Sequence, residues 1–285
     1  MFKNIIVGFD DSEYSKAALV EVSNWVKRHG GNITLVNAAY FDPEEFGIAP
    51  DQIERRVEFG KKICYQAKER YSAEFGIEID SFICEGEAPH VIIDVAKGKG
   101  ADLIAMGTYG RKGIKRLIMG SVTSSVILDA PCDVFVVKRP CVECTGEYKS
   151  ILVPFDGSET GKKAIGRAFD FTRFNPTSIT VLYVIPRYEE MVEFFMTVSI
   201  RKRLLEEAKK IIDEAEKMAS ENDVLINSIV EEGHAGERIV VTAKKIKSDI
   251  IVMGSSGWRG LDKAVIGSTA ESVIANAPVP VLVVR

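Results

Sequence analysis

The sequence predicts a doubly wound α/β domain, and predicts it twice. Three observations carry this reading. Short continuous apolar runs rich in Val and Ile alternate with longer helical patterns, as expected where helices cover both faces of a parallel sheet. The whole series returns in the second half of the chain, offset by 146 residues at first and 147 later. In each half one apolar run ends in a glycine-rich loop that opens the next helix.

Taken in order, the first half places strands near 4–9, 32–38, 78–84, 102–106 and 133–137, with helical patterns near 13–29, 51–75, 88–98 and 121–129 between them. The second half places its strands near 150–155, 178–184, 225–231, 249–253 and 280–284. Ile5-Ile6-Val7-Gly8-Phe9-Asp10-Asp11-Ser12-Glu13 returns as Ile151-Leu152-Val153-Pro154-Phe155-Asp156-Gly157-Ser158-Glu159, and Ile33-Thr34-Leu35-Val36-Asn37-Ala38 as Ile179-Thr180-Val181-Leu182-Tyr183-Val184. Ala101–Met106 and Ala130-Pro131 return as Ser248–Met253 and Ala277-Pro278. Units of this length are domains, since solenoid repeats are far shorter. The expected organisation is a first domain over 1–138, a polar linker over 139–149 containing Pro140 and Gly146, and a second domain over 150–285, each a five-stranded mainly parallel sheet. Over Ile200–Ser220 the residues Leu204, Leu205, Ala208, Ile211, Ile212 and Ala215 form one apolar stripe, expected to be core.

The formal charge of -4 and pI near 5.6 give no electrostatic reason to expect nucleic acid or an anionic membrane as partner. Met1 leads straight into the first strand without an apolar leader, and no apolar run is long enough to span a bilayer, so the expected location is the cytoplasm.

The chemistry concentrates in the glycine loops. Gly107-Thr108-Tyr109-Gly110 followed by Gly120-Ser121 matches Gly254-Ser255-Ser256-Gly257 followed by Gly267-Ser268 at the same spacing. Glycine lets backbone approach a ligand closely, and the free N–H groups and positive dipole end of a helix favour an anion. A phosphate-bearing ligand is the economical reading; a tight strand-to-helix turn is the bland one.

The strand ending in Asp before Ser-Glu, together with Gly-x2-Gly-x9-Gly-Ser, each present in both halves in the same order, resembles the universal stress proteins, here as a tandem pair over nearly the whole chain. That resemblance implies a Rossmann-like fold and an adenine nucleotide, ATP or AMP, with or without Mg2+. It implies that Asp10 and Asp156 touch the nucleotide, while Ser12 and Ser158 cap the following helix, and that the backbone at Ala38 and Val184 pairs with the adenine edge. It implies a ribose and phosphate cradle of Gly107, Gly110, Gly120 and Ser121 in the first half and Gly254, Gly257, Gly267 and Ser268 in the second, flanked by Met106, Val122, Met253 and Thr269. It further implies pairing along the last strands, Val134–Val137 and Val281–Val284, into a pseudo-dimer, and association of two chains into a homodimer. The first loop carries Arg111, Lys112, Lys115 and Arg116 and the second only Arg259 and Lys263 with Asp262, so either the first site favours more phosphates or this is a solvated basic face.

Neither loop ends in the Gly-Lys-Ser/Thr of P-loop enzymes, and His29, His90 and His234 lack metal-ligand spacing and read as surface or capping residues. Cys64, Cys84 and Cys132 fall in helical or strand patterns and read as buried small hydrophobes. Cys141 and Cys144 form a Cys-x2-Cys in the linker, supplying two of the four ligands of a structural zinc site, a redox pair, or solvent-exposed thiols. Three classes of function stand: a nucleotide-binding regulatory protein, a slow ATP-hydrolysing or phosphate-transferring enzyme, and a redox or metal module built on the linker cysteines.

Overall fold

The computed structural model describes residues 1–40, 51–109, 119–138, 146–186, 198–256 and 266–285. The chain forms two compact units, Met1–Glu147 and Tyr148–Val284. The first contains β1 (Asn4–Gly8), α1 (Glu13–His29), β2 (Asn32–Ala39), α2 (Asp51–Phe75), β3 (Ile79–Glu85), α3 (Ala88–Gly98), β4 (Leu103–Gly107), α4 (Ser121–Asp129) and β5 (Asp133–Val137). The second repeats the series as β6 (Ser150–Pro154), α5 (Glu159–Thr172), β7 (Ser178–Pro186), α6 (Val198–Glu221), β8 (Ile226–Gly233), α7 (Ala235–Lys245), β9 (Ile250–Gly254), α8 (Ser268–Asn276) and β10 (Val281–Val284).

Within the first unit the strand order is β3-β2-β1-β4-β5, within the second β8-β7-β6-β9-β10, and every pairing inside a unit is parallel. The apolar runs are buried because both sheet faces are covered: Ile5, Ile6, Val7, Ile104, Ile151, Leu152 and Ile251 are fully enclosed. Removing such a side chain to alanine costs about 2–5 kcal/mol by loss of transfer energy and creation of a cavity. The doubly wound fold expected from the alternation is therefore observed in both halves.

Local chemistry sets the helix ends. Ser12 and Ser158 adopt extended backbone and accept from the third residue onward, Ser15 N at 3.2 Å and Gly161 N at 3.2 Å, which satisfies one amide that the helix leaves unpaired. Gly30 ends α1 with φ of 72° and returns its N–H to the Val26 carbonyl at 2.7 Å, a closure that suits glycine, which carries no Cβ. At the exit from the first unit, Glu147 accepts from Arg28 at 2.6 Å, just beyond Gly146.

Two expectations need correction. The stripe on α6 buries Ala208, Ile212, Ala215 and also Ala219, whereas Leu205 is 49% exposed and Leu204 and Ile211 are half-buried. Leu205 has the right helical phase, but from Arg201 onward the first buried residue is Ala208, so phase alone overstated the length of the covered face. Of the three cysteines expected in the core, only Cys64 is fully buried; Cys84 and Cys132 are half-buried. His29, expected at the surface or as a cap, lies half-buried in the last turn of α1. It stacks on Trp25 with ring centroids 3.9 Å apart, its Nδ1 lies 3.1 Å from the Trp25 carbonyl, and burial lowers its pKa.

Candidate functional site

The strand order marks a candidate site before any side chain is considered. From β1 the chain winds outward through β2 and β3, then crosses back to β4 and β5 on the other side, so the order reverses between β1 and β4, and likewise between β6 and β9. At such a reversal the connections diverge to opposite faces and leave a crevice beyond the carboxyl ends of the strands.

The register shows which residues stand there. Ile6 pairs with Thr34 and Ile104, and four residues further along the three strands are Asp10, Ala38 and Thr108. Leu152 pairs with Thr180 and Ile251, and the same step leads to Asp156, Val184 and Ser255. The Val36 carbonyl accepts Phe9 N at 2.9 Å, on the β1 side. Alternate residues of a strand direct their backbone groups to the same side, so the N–H and C=O of Ala38 point past the end of β1. The Leu182 carbonyl, which accepts Phe155 N at 2.9 Å, gives Val184 the same attitude in the second unit.

Asp10 and Asp156 sit in matching turns. Asp10 Oδ1 accepts Ser12 N at 3.1 Å and Asp156 Oδ1 accepts Ser158 N at 3.0 Å, fixing each carboxylate at the mouth of its crevice. Between them the turn needs a left-handed residue, supplied by Asp11 with φ of 66° in one unit and Gly157 with φ of 84° in the other. Asp11 also pairs with Lys16 at 2.9 Å.

The glycines are brought together across a long loop. Gly120 N donates to the Thr108 carbonyl at 3.0 Å, and Gly267 N donates to the Ser255 carbonyl at 3.1 Å, so the second half of each motif folds back on the first. Thr108, fully buried, ties its N–H and hydroxyl to the Val137 carbonyl at 3.0 and 3.1 Å, and Thr123 Oγ1 donates to the Gly107 carbonyl at 2.9 Å. Gly120 and Gly267 are the N-cap residues of α4 and α8, and neither supplies a side-chain acceptor to the first turn. Ser121 and Ser268 are exposed, and Val122 and Thr269 half-buried, on those first turns; Met106 and Met253 are buried beneath. Gly110, Gly257, Cys141, Cys144 and the charged residues of both loops lie outside the described residues.

Gly107 and Gly254 turn out to have a packing duty that spacing did not reveal. A Cβ at Gly107 would lie 2.5 Å from Tyr14 Cβ and 2.6 Å from its carbonyl carbon, and one at Gly254 would lie 2.7 Å from Thr160 Cβ. The first turns of α1 and α5 thus rest directly on these glycines, at the same carboxyl edge. Tyr14 and Thr160, which the sequence did not single out, consequently stand at the two crevices. Tyr14 meets Tyr109 edge to face at 5.3 Å, and burial pushes the Tyr109 phenol above its ordinary value, with Tyr14 adding to the rise. A signal was available: position 14 precedes Ser15 and position 160 precedes Gly161 in the repeat, yet helical phase alone does not tell which strand end they meet.

Among the described residues no group of three or more His, Cys, Asp or Glu side chains could hold a metal ion, and no helix is long and apolar enough to cross a membrane.

Comparison with known proteins agrees with this architecture. A universal stress protein of Methanocaldococcus jannaschii is 35% identical over 145 residues, covering 48% of this chain and 82% of that protein. A universal stress protein of Mycobacterium tuberculosis is 23% identical over 293 residues, covering 99% of this chain and 96% of its own length. The crystal structure of a universal stress protein from Archaeoglobus fulgidus matches with a TM-score of 0.73 at 21% identity, over 99% of this chain and 96% of that one, a likeness of fold. The model of the universal stress protein family matches residues 1–138 and again 147–285. With both halves matched, the chain belongs to the universal stress protein family as a tandem of two copies.

Proposed function

We propose that each unit binds an adenine nucleotide at its carboxyl edge and that the chain acts as a nucleotide-responsive regulatory protein. The observation that carries this is the contrast between capped and uncapped helices at one crevice. Ser12 and Ser158 cap α1 and α5 with their own hydroxyls, while α4 and α8 begin on glycine with no side-chain acceptor. First-turn amides that no cap satisfies are the donors that a phosphate takes up, and glycine leaves room for it to approach. Beside them stand a fixed carboxylate and a strand edge that projects past its neighbour, suited to the sugar and to the hydrogen-bonding edge of a base.

In this reading the Gly120, Ser121 and Val122 turn holds phosphate in the first unit, and Gly267, Ser268 and Thr269 do so in the second, with Gly107, Gly110, Gly254 and Gly257 opening the loop. Asp10 and Asp156 meet the ribose side and Ala38 and Val184 the base through backbone groups, with Met106 and Met253 beneath. Mg2+ accompanies the ligand where it is ATP. The last strands of the two units pair to make a pseudo-dimer, two chains associate as a homodimer, and nucleotide occupancy shifts the conformational balance that a partner senses.

The test is mass spectrometry of small molecules released on denaturing the purified protein, quantified per chain and followed by titration with ATP and AMP. Two equivalents of adenine nucleotide per chain is the expected result. No nucleotide on release and no uptake of either ligand would overturn the reading; ADP accumulating from added ATP and Mg2+ would replace it with an enzymatic one.

A further inference from the structure

The two crevices are built alike but are held differently where the glycine loop leaves its strand. Tyr14 and Thr160 are counterparts, as the approach of Gly107 to the one and of Gly254 to the other demonstrates. Tyr109 and Ser256 are also counterparts, each two residues beyond its glycine. In the first unit the link between helix and loop is the edge-to-face contact of Tyr14 and Tyr109, with ring centroids 5.3 Å apart and planes at 65°. In the second unit both aromatics are missing. Thr160 Oγ1 donates instead to the Ser256 carbonyl oxygen, and Ser158 Oγ lies 3.3 Å from the same hydroxyl.

These links constrain a loop in different ways. A ring pair holds its partners by area and by the edge-to-face preference of the rings and bonds no backbone group. A hydrogen bond to a carbonyl fixes the orientation of that peptide, and in a trans peptide the orientation of the carbonyl also sets that of the amide across it. Backbone amides are the donors a phosphate uses. A hydroxyl on α5 that sets a loop peptide therefore reaches the ligand through the loop.

We infer that Thr160 is a positioning residue for the second nucleotide site, and the Tyr14 and Tyr109 pair for the first, so that the two sites respond separately to loss of their own link. This rests on the proposed nucleotide reading, but the link itself can be measured without a ligand.

The experiment compares wild type with Thr160→Val, which keeps the shape and removes the hydroxyl, and Thr160→Ser, which restores it, in the full chain. Limited trypsin digestion reads the loops directly, because Arg259 and Lys263 lie in the second and Arg111, Lys112, Lys115 and Arg116 in the first. Thr160→Val is expected to speed cleavage after Arg259 and Lys263 about fivefold, the equivalent of one net hydrogen bond, with first-loop cleavage unchanged and Thr160→Ser like wild type. Calorimetric titration with ATP then resolves two classes of site. Thr160→Val weakens one class about fivefold by the same reasoning, Tyr109→Ser weakens the other, and Thr160→Ser restores the first. Equal cleavage in wild type and Thr160→Val, acceleration at both loops together, or failure of serine to restore would overturn the inference. If wild-type protein takes up no ATP, the nucleotide reading falls, and the cleavage comparison still decides whether Thr160 holds the loop.

Discussion

Substituting Gly107 by alanine tests the claim that this glycine is demanded by helix packing as well as by any ligand. The new Cβ would stand 2.5 Å from Tyr14 Cβ, 2.6 Å from the Tyr14 carbonyl carbon and 2.9 Å from Ser15 N. Carbon atoms rest at about 3.5–4.0 Å, so the strand end and the first turn of α1 must part by roughly 1 Å. Two of the three atoms are backbone, so no change of rotamer relieves the clash. Overpacking of this kind costs about 1–3 kcal/mol, and the lower entropy of the unfolded alanine chain returns about 0.4–1 kcal/mol. The net expectation is a loss of about 1.3 kcal/mol, which lowers Tm by about 4 °C for a unit of this size. Gly254→Ala meets Thr160 Cβ and Oγ1 at 2.7 Å and one backbone atom at 2.9 Å, and a side chain yields more readily, so its loss should be smaller. Differential scanning calorimetry of both variants without nucleotide is the assay. An unchanged or raised Tm for Gly107→Ala would refute the packing argument and return that glycine wholly to the ligand.

Two further outcomes rest on packing elsewhere in the two units. Gly166 lies exposed in α5, and a Cβ there meets nothing within 4 Å, so Gly166→Ala should stabilise the second unit by about 1 kcal/mol through helix propensity; urea denaturation reads it, and destabilisation would count against the helix placement. Burial raises the thiols of Cys64 and Cys132 from an ordinary 9.0 to about 12. Above pH 9 the unfolded chain has released these protons while the folded chain still holds them, so stability falls as pH rises from about 9 towards 12. Below pH 9 the two states carry the same protons and the contribution is flat. Cys64→Ala with Cys132→Ala should therefore flatten the alkaline loss of Tm, and an identical pH profile would refute the assignment.

Most of the fold was legible because its signals are short in range. Continuous Val and Ile runs mark strands buried on both faces whatever their neighbours, and Ser12 and Ser158 announce helix starts through bonds that span three residues. The repeat doubled each signal. The candidate site was legible in part: spacing picked out the glycines that fold back as Gly120 onto Thr108 and Gly267 onto Ser255. Leu205 and Cys84 misled for one reason, that periodicity gives the direction of a side chain on its own element but not whether anything covers it.

The sequence by itself determined the alternation of elements, the presence of two copies, and which loops carry glycine and which helices carry a serine cap, because each is a matter of local backbone preference and hydrophobic phase. Only the tertiary structure decided that Asp10, Ala38 and Thr108 share one level at a strand-order reversal, that Gly107 and Gly254 support the first turns of α1 and α5, and that Tyr14 meets the Tyr109 ring in one unit where Thr160 bonds the Ser256 carbonyl in the other. The glycine, ring and hydroxyl contacts join residues more than ninety positions apart. Their partners are chosen by sheet register and helix docking, which the whole fold sets and no local spacing encodes.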